Sequence, residues 1–278
     1  MKYKIIAIDL DGTLLNNNKD IVKENIEVLN KLNKDGIEVL IATGRRYWAA
    51  KRLTKDLNMN LVIMANNGNI VRTASDDKVL VKKYLNRSDF YKLVKESKSR
   101  DMYPILHVDH YEEGYDLLLE LDEGNKKYSH HVSEKMNRYK WIEDFLKYED
   151  PKVLAAVYVG DMKKLSEFER DLKENYPKKY SSHIMSKLTV AGGMLEVMHP
   201  LGSKWLTLEE YAKAKGIKDH EIITIGDDNN DIEMIKKAGL GIAMKNGSDE
   251  VKSIADIVTD STNNEGGVGK VLKKVFDI

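Results

Sequence analysis

Lys4-Ile5-Ile6-Ala7-Ile8-Asp9-Leu10-Asp11-Gly12-Thr13-Leu14 is the stretch whose reading decides the fold. A short apolar run rich in isoleucine predicts a buried strand, and it stops abruptly at two aspartates. In an open parallel sheet, ligands bind in the loops beyond the carboxyl ends of the strands. Two carboxylates at i and i+2, released into a turn by Gly12, can face one small ligand together. Left alone they would repel, and one of them would resist ionisation. A divalent cation removes that conflict, because hard cations such as Mg²⁺ prefer carboxylate oxygens. The opening therefore points to a metal-assisted site with an aspartate placed as nucleophile. The same four residues, Asp-Leu-Asp-Gly, also fit a strand, a turn and a helix cap with no chemistry at all. The rest of the chain decides between the two.

Outward from this stretch, Ile21, Val22, Ile26, Leu29 and Leu32 recur at helical spacing, and Asp35-Gly36 closes that helix. Ile37-Glu38-Val39-Leu40-Ile41-Ala42 predicts a second strand ending at Thr43-Gly44-Arg45-Arg46, followed by a helix to about Leu57. Leu61-Val62-Ile63-Met64 predicts a third strand, and Asn67-Gly68-Asn69 before Ile70-Val71-Arg72 is a tight-turn signal opening a hairpin. Strand and helix in alternation predict a doubly wound parallel sheet. The rhythm changes near Lys82 to Asn86. A helix capped by Ser88 is expected to reach Lys98, with strands at 115–120 and 153–159 and a helix to about Asn175. The alternating pattern resumes near Met194. Helix 204–215, strand 221–225, the loop Gly226-Asp227-Asp228-Asn229-Asn230-Asp231, a helix to Lys237, a strand at 239–244, a helix at 249–255 and a last helix from Val268 complete it. The expected organisation is α/β: a Rossmann-like doubly wound core from residues 1–84 and 191–278, interrupted by an inserted α/β module at 85–190.

Composition narrows the function. Lys and Arg number 45 and Asp and Glu 45, so net charge gives no global pull toward nucleic acid or an anionic membrane, and neither is expected as a partner. No cysteine is present, which removes disulfides, thiolate nucleophiles and Cys-ligated zinc. The N-terminal apolar run is too short for a signal-peptide core, and nothing approaches the ~20 apolar residues of a membrane span. The expectation is a soluble, cytoplasmic protein.

Three strand-end loops carry small or acidic polar residues: Asp9 with Asp11, Thr43, and Asp227 through Asp231. If their strands are parallel neighbours, the loops open on one edge of the sheet. Thr43-Gly44 before a helix can offer a hydroxyl and backbone N–H groups to an anion. Lys204 at a helix start is a candidate to balance the carboxylates. This set resembles the haloacid-dehalogenase-like superfamily and, within it, the Cof-type phosphatases. Asp9-Leu10-Asp11-Gly12-Thr13-Leu14 is similar to the first family motif and Ile41-Ala42-Thr43-Gly44-Arg45 to the second. Gly202-Ser203-Lys204 is similar to the third and Gly226-Asp227-Asp228-Asn229-Asn230-Asp231 to the fourth. The Cof-type group carries a large α/β cap between its second and third motifs, where the inserted module falls.

The resemblance implies roles for these residues. Asp9 attacks phosphorus and forms an aspartyl-phosphate, while Asp11 protonates the leaving oxygen and then takes a proton from water. Mg²⁺ is held by the Asp9 carboxylate, the Asp11 backbone carbonyl and Asp227, with Asp231 in the first or second shell. Thr43, Gly44 and Lys204 hold the phosphoryl group, and Asn230 touches phosphate or Lys204. The expected activity is hydrolysis of small phosphorylated metabolites, sugar phosphates first. A phosphomutase using the same intermediate, or a sensor that binds a phosphometabolite without turnover, are the alternatives. Ion-pumping relatives carry Thr where Asp11 stands, and no membrane span is present here. Among weaker signals, Arg45 is a candidate substrate contact, and His199 either lies near the cleft or is structural. His107-Val108-Asp109-His110 lacks a third ligand at metal-binding spacing.

Overall fold

The computed structural model describes residues 2–120, 138–188 and 192–278. The chain divides into two compact units: one from Met1–Lys82 and Ser203–Ile278, the other from Lys83–Gly202.

The first unit begins with strand β1 (Ile5–Ile8), helix α1 (Lys23–Lys34), β2 (Glu38–Ala42), α2 (Tyr47–Leu53), β3 (Val62–Ala65), β4 (Ile70–Thr73) and β5 (Val79–Lys82). All four residues of β1 are buried, because the strand lies inside a parallel sheet with side chains covered on both faces. That explains why β1 reads as a continuous apolar run rather than an alternating one. Helix α1 turns Val28, Leu29 and Leu32 inward, and Lys31 and Lys34 in its last turn complement the negative end of its dipole. It starts two residues later than the spacing of Ile21 predicts, since Ile21 pairs with Leu15 in an isolated bridge. Helix α2 stops at Leu53, short of the expected Leu57, where the Thr54 hydroxyl bonds the Ala50 carbonyl. The expected tight turn is present: Asn66, Asn67 and Gly68 all take positive φ and fold β4 back on β3. At Gly68 the requirement is steric as well, because a Cβ there would lie 2.5 Å from the Ser203 carbonyl oxygen.

The second unit holds α3 (Arg87–Lys98), β6 (Ile105–His110), β7 (Tyr115–Leu119), β8 (Tyr139–Trp141), β9 (Val153–Gly160), α4 (Met162–Asn175), β10 (Ser181–Leu188) and β11 (Gly192–Met198). Its strands form one sheet in the order β10-β11-β9-β6-β7-β8. Phe90, Leu93 and Val94 of α3 and Leu165, Phe168 and Leu172 of α4 pack with Leu106, Leu118 and Tyr158 of that sheet. Ser88 is not the cap of α3. Asn86 caps it, accepting bonds from both the Ser88 N–H and hydroxyl. His110 is buried between Glu113 and the Asp150 carbonyl oxygen, a structural arrangement that leaves it no part in a metal set. The boundary expected between residues 190 and 191 lies outside the described residues. The strand just after it, β11, pairs antiparallel with β9 and β10, so the second unit extends to Gly202.

The first unit resumes with α5 (Lys204–Ala214), β12 (Ile222–Gly226), α6 (Ile232–Lys237), β13 (Leu240–Ala243), α7 (Asp249–Ile254), β14 (Ile257–Val258) and α8 (Gly267–Phe276). Its eight strands run in the order β14-β13-β12-β1-β2-β3-β4-β5, parallel from β14 to β3. Ser203 caps α5 by accepting from the Leu206 N–H, and Trp205, Leu208 and Ala212 bury that helix against Ile5, Leu40 and Met64. The central strand β1 is thus flanked by β12 and β2, which brings the ends of all three to the same edge. Among the described residues no helix is long and apolar enough to cross a membrane.

Candidate active site at the carboxyl edge of the sheet

Asp9 is the first residue beyond β1, and its N–H continues the ladder to the Ile225 carbonyl of β12 at 3.0 Å. The chain then turns through Gly12 at φ +78°, where a Cβ would fall 2.2 Å from Asp227 Oδ2. Only glycine meets both demands, and the turn sets Thr13 so that its hydroxyl donates to Asp227 Oδ1 at 2.7 Å. The loop after β12 closes on itself. Asp231 Oδ2 accepts the Asp227 and Asp228 N–H groups at 3.0 and 3.2 Å.

Lys204, at the first position of α5, joins these loops. Its ammonium donates to Asp9 Oδ1 and to Asp231 Oδ1, each at 2.7 Å. Lys204 is 1 % exposed and Asp231 0 %, so the triad is sealed from bulk water. Burial pushes the Asp9 carboxyl well above its usual range, and the charges of Asp231 and Asp227 add to that while Lys204 opposes it. Burial likewise pushes Asp227 up to about 7, with Asp231 adding and the Thr13 bond opposing. Burial would weaken the Lys204 ammonium, but the Asp231 and Asp9 carboxylates outweigh it and raise its pKa.

Asp9, Asp227 and Asp231 each present an oxygen within 4.8 Å of the others, the one such metal-ligating group among the described residues. Fully ionised, three carboxylates with one ammonium would carry a net double negative charge. Two of the three resist ionisation, and every donor is a hard oxygen. That donor set fits a hard divalent cation, which would offset the repulsion. Asp231 has the least to offer it directly, since one oxygen already serves two N–H groups and the other Lys204.

Asp11 faces different partners. Arg45 grips it with Nε on Oδ2 at 2.5 Å and Nη2 on Oδ1 at 2.7 Å, and Lys19 adds a bond to Oδ1 at 2.7 Å. Burial alone would raise this carboxyl, but the Arg45 and Lys19 bonds overcome it and hold it below its ordinary value. The Asp11 side chain is therefore outside the carboxylate group that fits a cation.

Thr43 follows β2 and is buried. Its hydroxyl accepts the Arg45 N–H at 3.1 Å, and its carbonyl accepts the Asn67 N–H at 3.0 Å. Gly44 lies against Asn67, whose Oδ1 would stand 3.3 Å from a Cβ at that position. Asn230 donates to that same Asn67 Oδ1 at 3.0 Å. Thus Asp9, Lys204, Asp227 and Asp231 converge. Thr43, Gly44 and Asn230 gather instead around Asn67, which the sequence offers only as a hairpin residue. Sequence reasoning also missed three further contacts. They are Thr13 on Asp227, Lys19 on Asp11, and Asn246, whose amide donates to the Gly12 carbonyl at 2.7 Å. Thr13 stands inside the first motif, so its position was a signal. Lys19 and Asn246 carry none.

The sequence profile of the haloacid dehalogenase-like hydrolases matches residues 6–272 of this chain. The putative phosphatase YxeH of Bacillus subtilis is 28% identical, with 98% of each chain covered. The 5-amino-6-(5-phospho-D-ribitylamino)uracil phosphatase YwtE of the same organism is 30% identical, again with 98% of each covered. Among solved structures, a haloacid dehalogenase-like hydrolase from Bacteroides thetaiotaomicron superposes with a TM-score of 0.82 at 27% identity, covering 99% of this chain and 100% of that one.

Proposed function

Because the chain belongs to the haloacid dehalogenase-like hydrolase family and is a phosphatase of it, we propose that it hydrolyses small phosphorylated metabolites with Mg²⁺, through an aspartyl-phosphate on Asp9. The observation that carries this reading is the Lys204 bridge between Asp9 and Asp231, with Asp227 beside it.

Lys204 donates to Asp9 Oδ1, and Oδ2 is the oxygen proposed to attack phosphorus. As the Asp9–phosphorus bond forms, the bond to the leaving oxygen breaks and that oxygen takes a proton from Asp11. Arg45 and Lys19 hold Asp11 ionised in the free site, so it must first take up that proton, and the acid role is the costlier of its two. Asp11 then takes a proton from the water that attacks phosphorus, the Asp9–phosphorus bond breaks, and inorganic phosphate leaves. Phosphoryl transfer needs chiefly positioning and charge stabilisation, which Lys204 and the backbone N–H groups beyond Thr43 supply. Asp9, Asp227 and the Asp11 carbonyl would hold Mg²⁺, with Asp231 supporting from behind, and the bound cation would keep Asp9 ionised and draw charge off the phosphoryl oxygens. The roles of Thr43, Gly44 and Asn230 as phosphoryl contacts belong to the same proposal, as does the role of the inserted unit as a cap.

Sugar phosphates lead the substrate classes. YwtE is named for a phosphorylated sugar alcohol joined to a uracil, which supports testing phosphorylated polyols beside them. The test is phosphate release from a panel of sugar phosphates, polyol phosphates, nucleotides and an aryl phosphate. Wild type and Asp9→Asn are compared with Mg²⁺ and with chelator. Metal-dependent release that Asp9→Asn loses supports the reading; equal release by both proteins sinks it.

A further inference from the structure

The Asp11 carboxylate accepts three hydrogen bonds, and their distribution is uneven. Oδ1 takes two, from Arg45 Nη2 and Lys19 Nζ, while Oδ2 takes one, from Arg45 Nε. A carboxylate oxygen accepts along two lone-pair directions. Oδ1 is thus filled, and Oδ2 keeps one open direction. Asp11 sits on a turn with its side chain 39% exposed, and its carboxylate is held by three hydrogen bonds from cations. We infer that Arg45 and Lys19 are positioning residues that aim Asp11, leaving Oδ2 as the one atom through which it exchanges a proton with leaving group and water.

Each cation is itself held in place. Arg45 N–H bonds the Thr43 hydroxyl at 3.1 Å, and its carbonyl accepts the Asn66 N–H at 2.9 Å, which anchors the arginine backbone between β2 and β3. Lys19 tops a tight loop. Asn16 Oδ1 accepts the N–H groups of Asn18 and Asp20 at 2.9 Å, and the Asn16 N–H reaches the Asp20 carbonyl at 2.9 Å. The loop base is tied down by the Asn263 amide on the Leu15 carbonyl at 2.9 Å. Lys19 takes φ +67° there, a conformation that glycine or asparagine adopts at less cost. A lysine in that conformation supplies what those residues lack, an ammonium within reach of Asp11.

The consequence falls mainly on the second half of the reaction. An aryl phosphate expels a good leaving group that needs no proton, so formation of the aspartyl-phosphate tolerates a poorly aimed Asp11. Attack by water does not, because its proton must pass to an oriented oxygen.

This inference rests on Asp9 as nucleophile and Asp11 as general base, and its test separates the two. Wild type, Lys19→Ala, Arg45→Ala, Arg45→Lys and Asp11→Asn are mixed with an aryl phosphate and Mg²⁺, quenched at intervals and weighed intact. Arg45→Lys keeps the charge without the fork and serves where Arg45→Ala does not fold. A general base contributes about 10²–10⁴-fold, so the expected fall in kcat is ~10-fold for Lys19→Ala and ~100-fold for both Arg45 variants. In each, phenol is released in a burst and the phosphorylated protein accumulates, and Lys19→Arg restores turnover. Equal loss of burst and turnover without accumulation, while Asp11→Asn does accumulate, overturns the inference and leaves the mechanism intact. If Asp11→Asn does not accumulate either, Asp11 is not the base and the inference falls with it.

Discussion

Two groups of charges at the same edge of one sheet are built in opposite ways. In the inner one, a single ammonium, Lys204, serves Asp9 and Asp231 with Asp227 close by, and all of it is buried or nearly so. In the outer one, two cations, Arg45 and Lys19, serve the single carboxylate of Asp11, with side chains 32% and 52% exposed. The inner group is short of positive charge and the outer has it in excess. Burial drives Asp9 and Asp227 toward their neutral forms, whereas hydrogen bonding keeps the outer carboxylate ionised. The inner arrangement suits a cation and a nucleophile that must not move; the outer, held ionised, suits a group that takes a proton at the solvent boundary. Although only Leu10 separates Asp9 from Asp11, the Gly12 turn gives them different environments and, on this account, different work.

The contrast is sharpest at its two lysines. Lys204→Ala leaves Asp9 and Asp231 buried without a counter-charge, and losing one partner of such a pair costs about 3–5 kcal/mol. Chemical denaturation of the metal-free protein should show a loss of that order, and turnover should fall by ~10³-fold or more. A loss of stability under ~1 kcal/mol would mean that water, not burial, governs the inner group. Gly12→Ala attacks the hinge between the groups. Left-handed backbone costs a non-glycine residue about 1–2 kcal/mol, and the new Cβ must displace Asp227, so half-saturation by Mg²⁺ should rise as stability falls. Unchanged metal dependence would show that Asp227 can move freely. Thr13→Val removes one bond to Asp227, and about 1 kcal/mol of stability is expected to go with it in a melting experiment. Lys19→Ala is the smallest in stability, below ~1 kcal/mol, because exposed ion pairs contribute little. A large drop there would erase the distinction between inner and outer groups.

The parallel strands were legible because they are buried on both faces: Ile5–Ile8 and Ile222–Gly226 are apolar almost throughout, and no other element produces that run so briefly. The second unit hid its strands. In β6, His107 and Asp109 interrupt the apolar pattern, so the stretch did not read as a strand. The sequence of β10 opens Ser181-Ser182-His183, and β11 begins with two glycines, so neither announced itself and the return to the first unit was placed too early. The convergence of Asp9, Asp227, Asp231 and Lys204 was legible because each stands at a strand end or a helix start on one edge of the sheet. The contact of Asn230 with Asn67 and that of Lys19 with Asp11 depend on how two turns fold, through hydrogen bonds no local pattern encodes.

The central claim is that Asp9 carries the phosphoryl group. The direct measurement is acid quench of wild-type protein during turnover of an aryl phosphate with Mg²⁺, followed by mass spectrometry of the peptides. The account predicts a phosphoryl adduct on Asp9 that is lost on mild alkaline treatment and absent from Asp9→Asn. An adduct on another residue, or sustained turnover by Asp9→Asn, would contradict it.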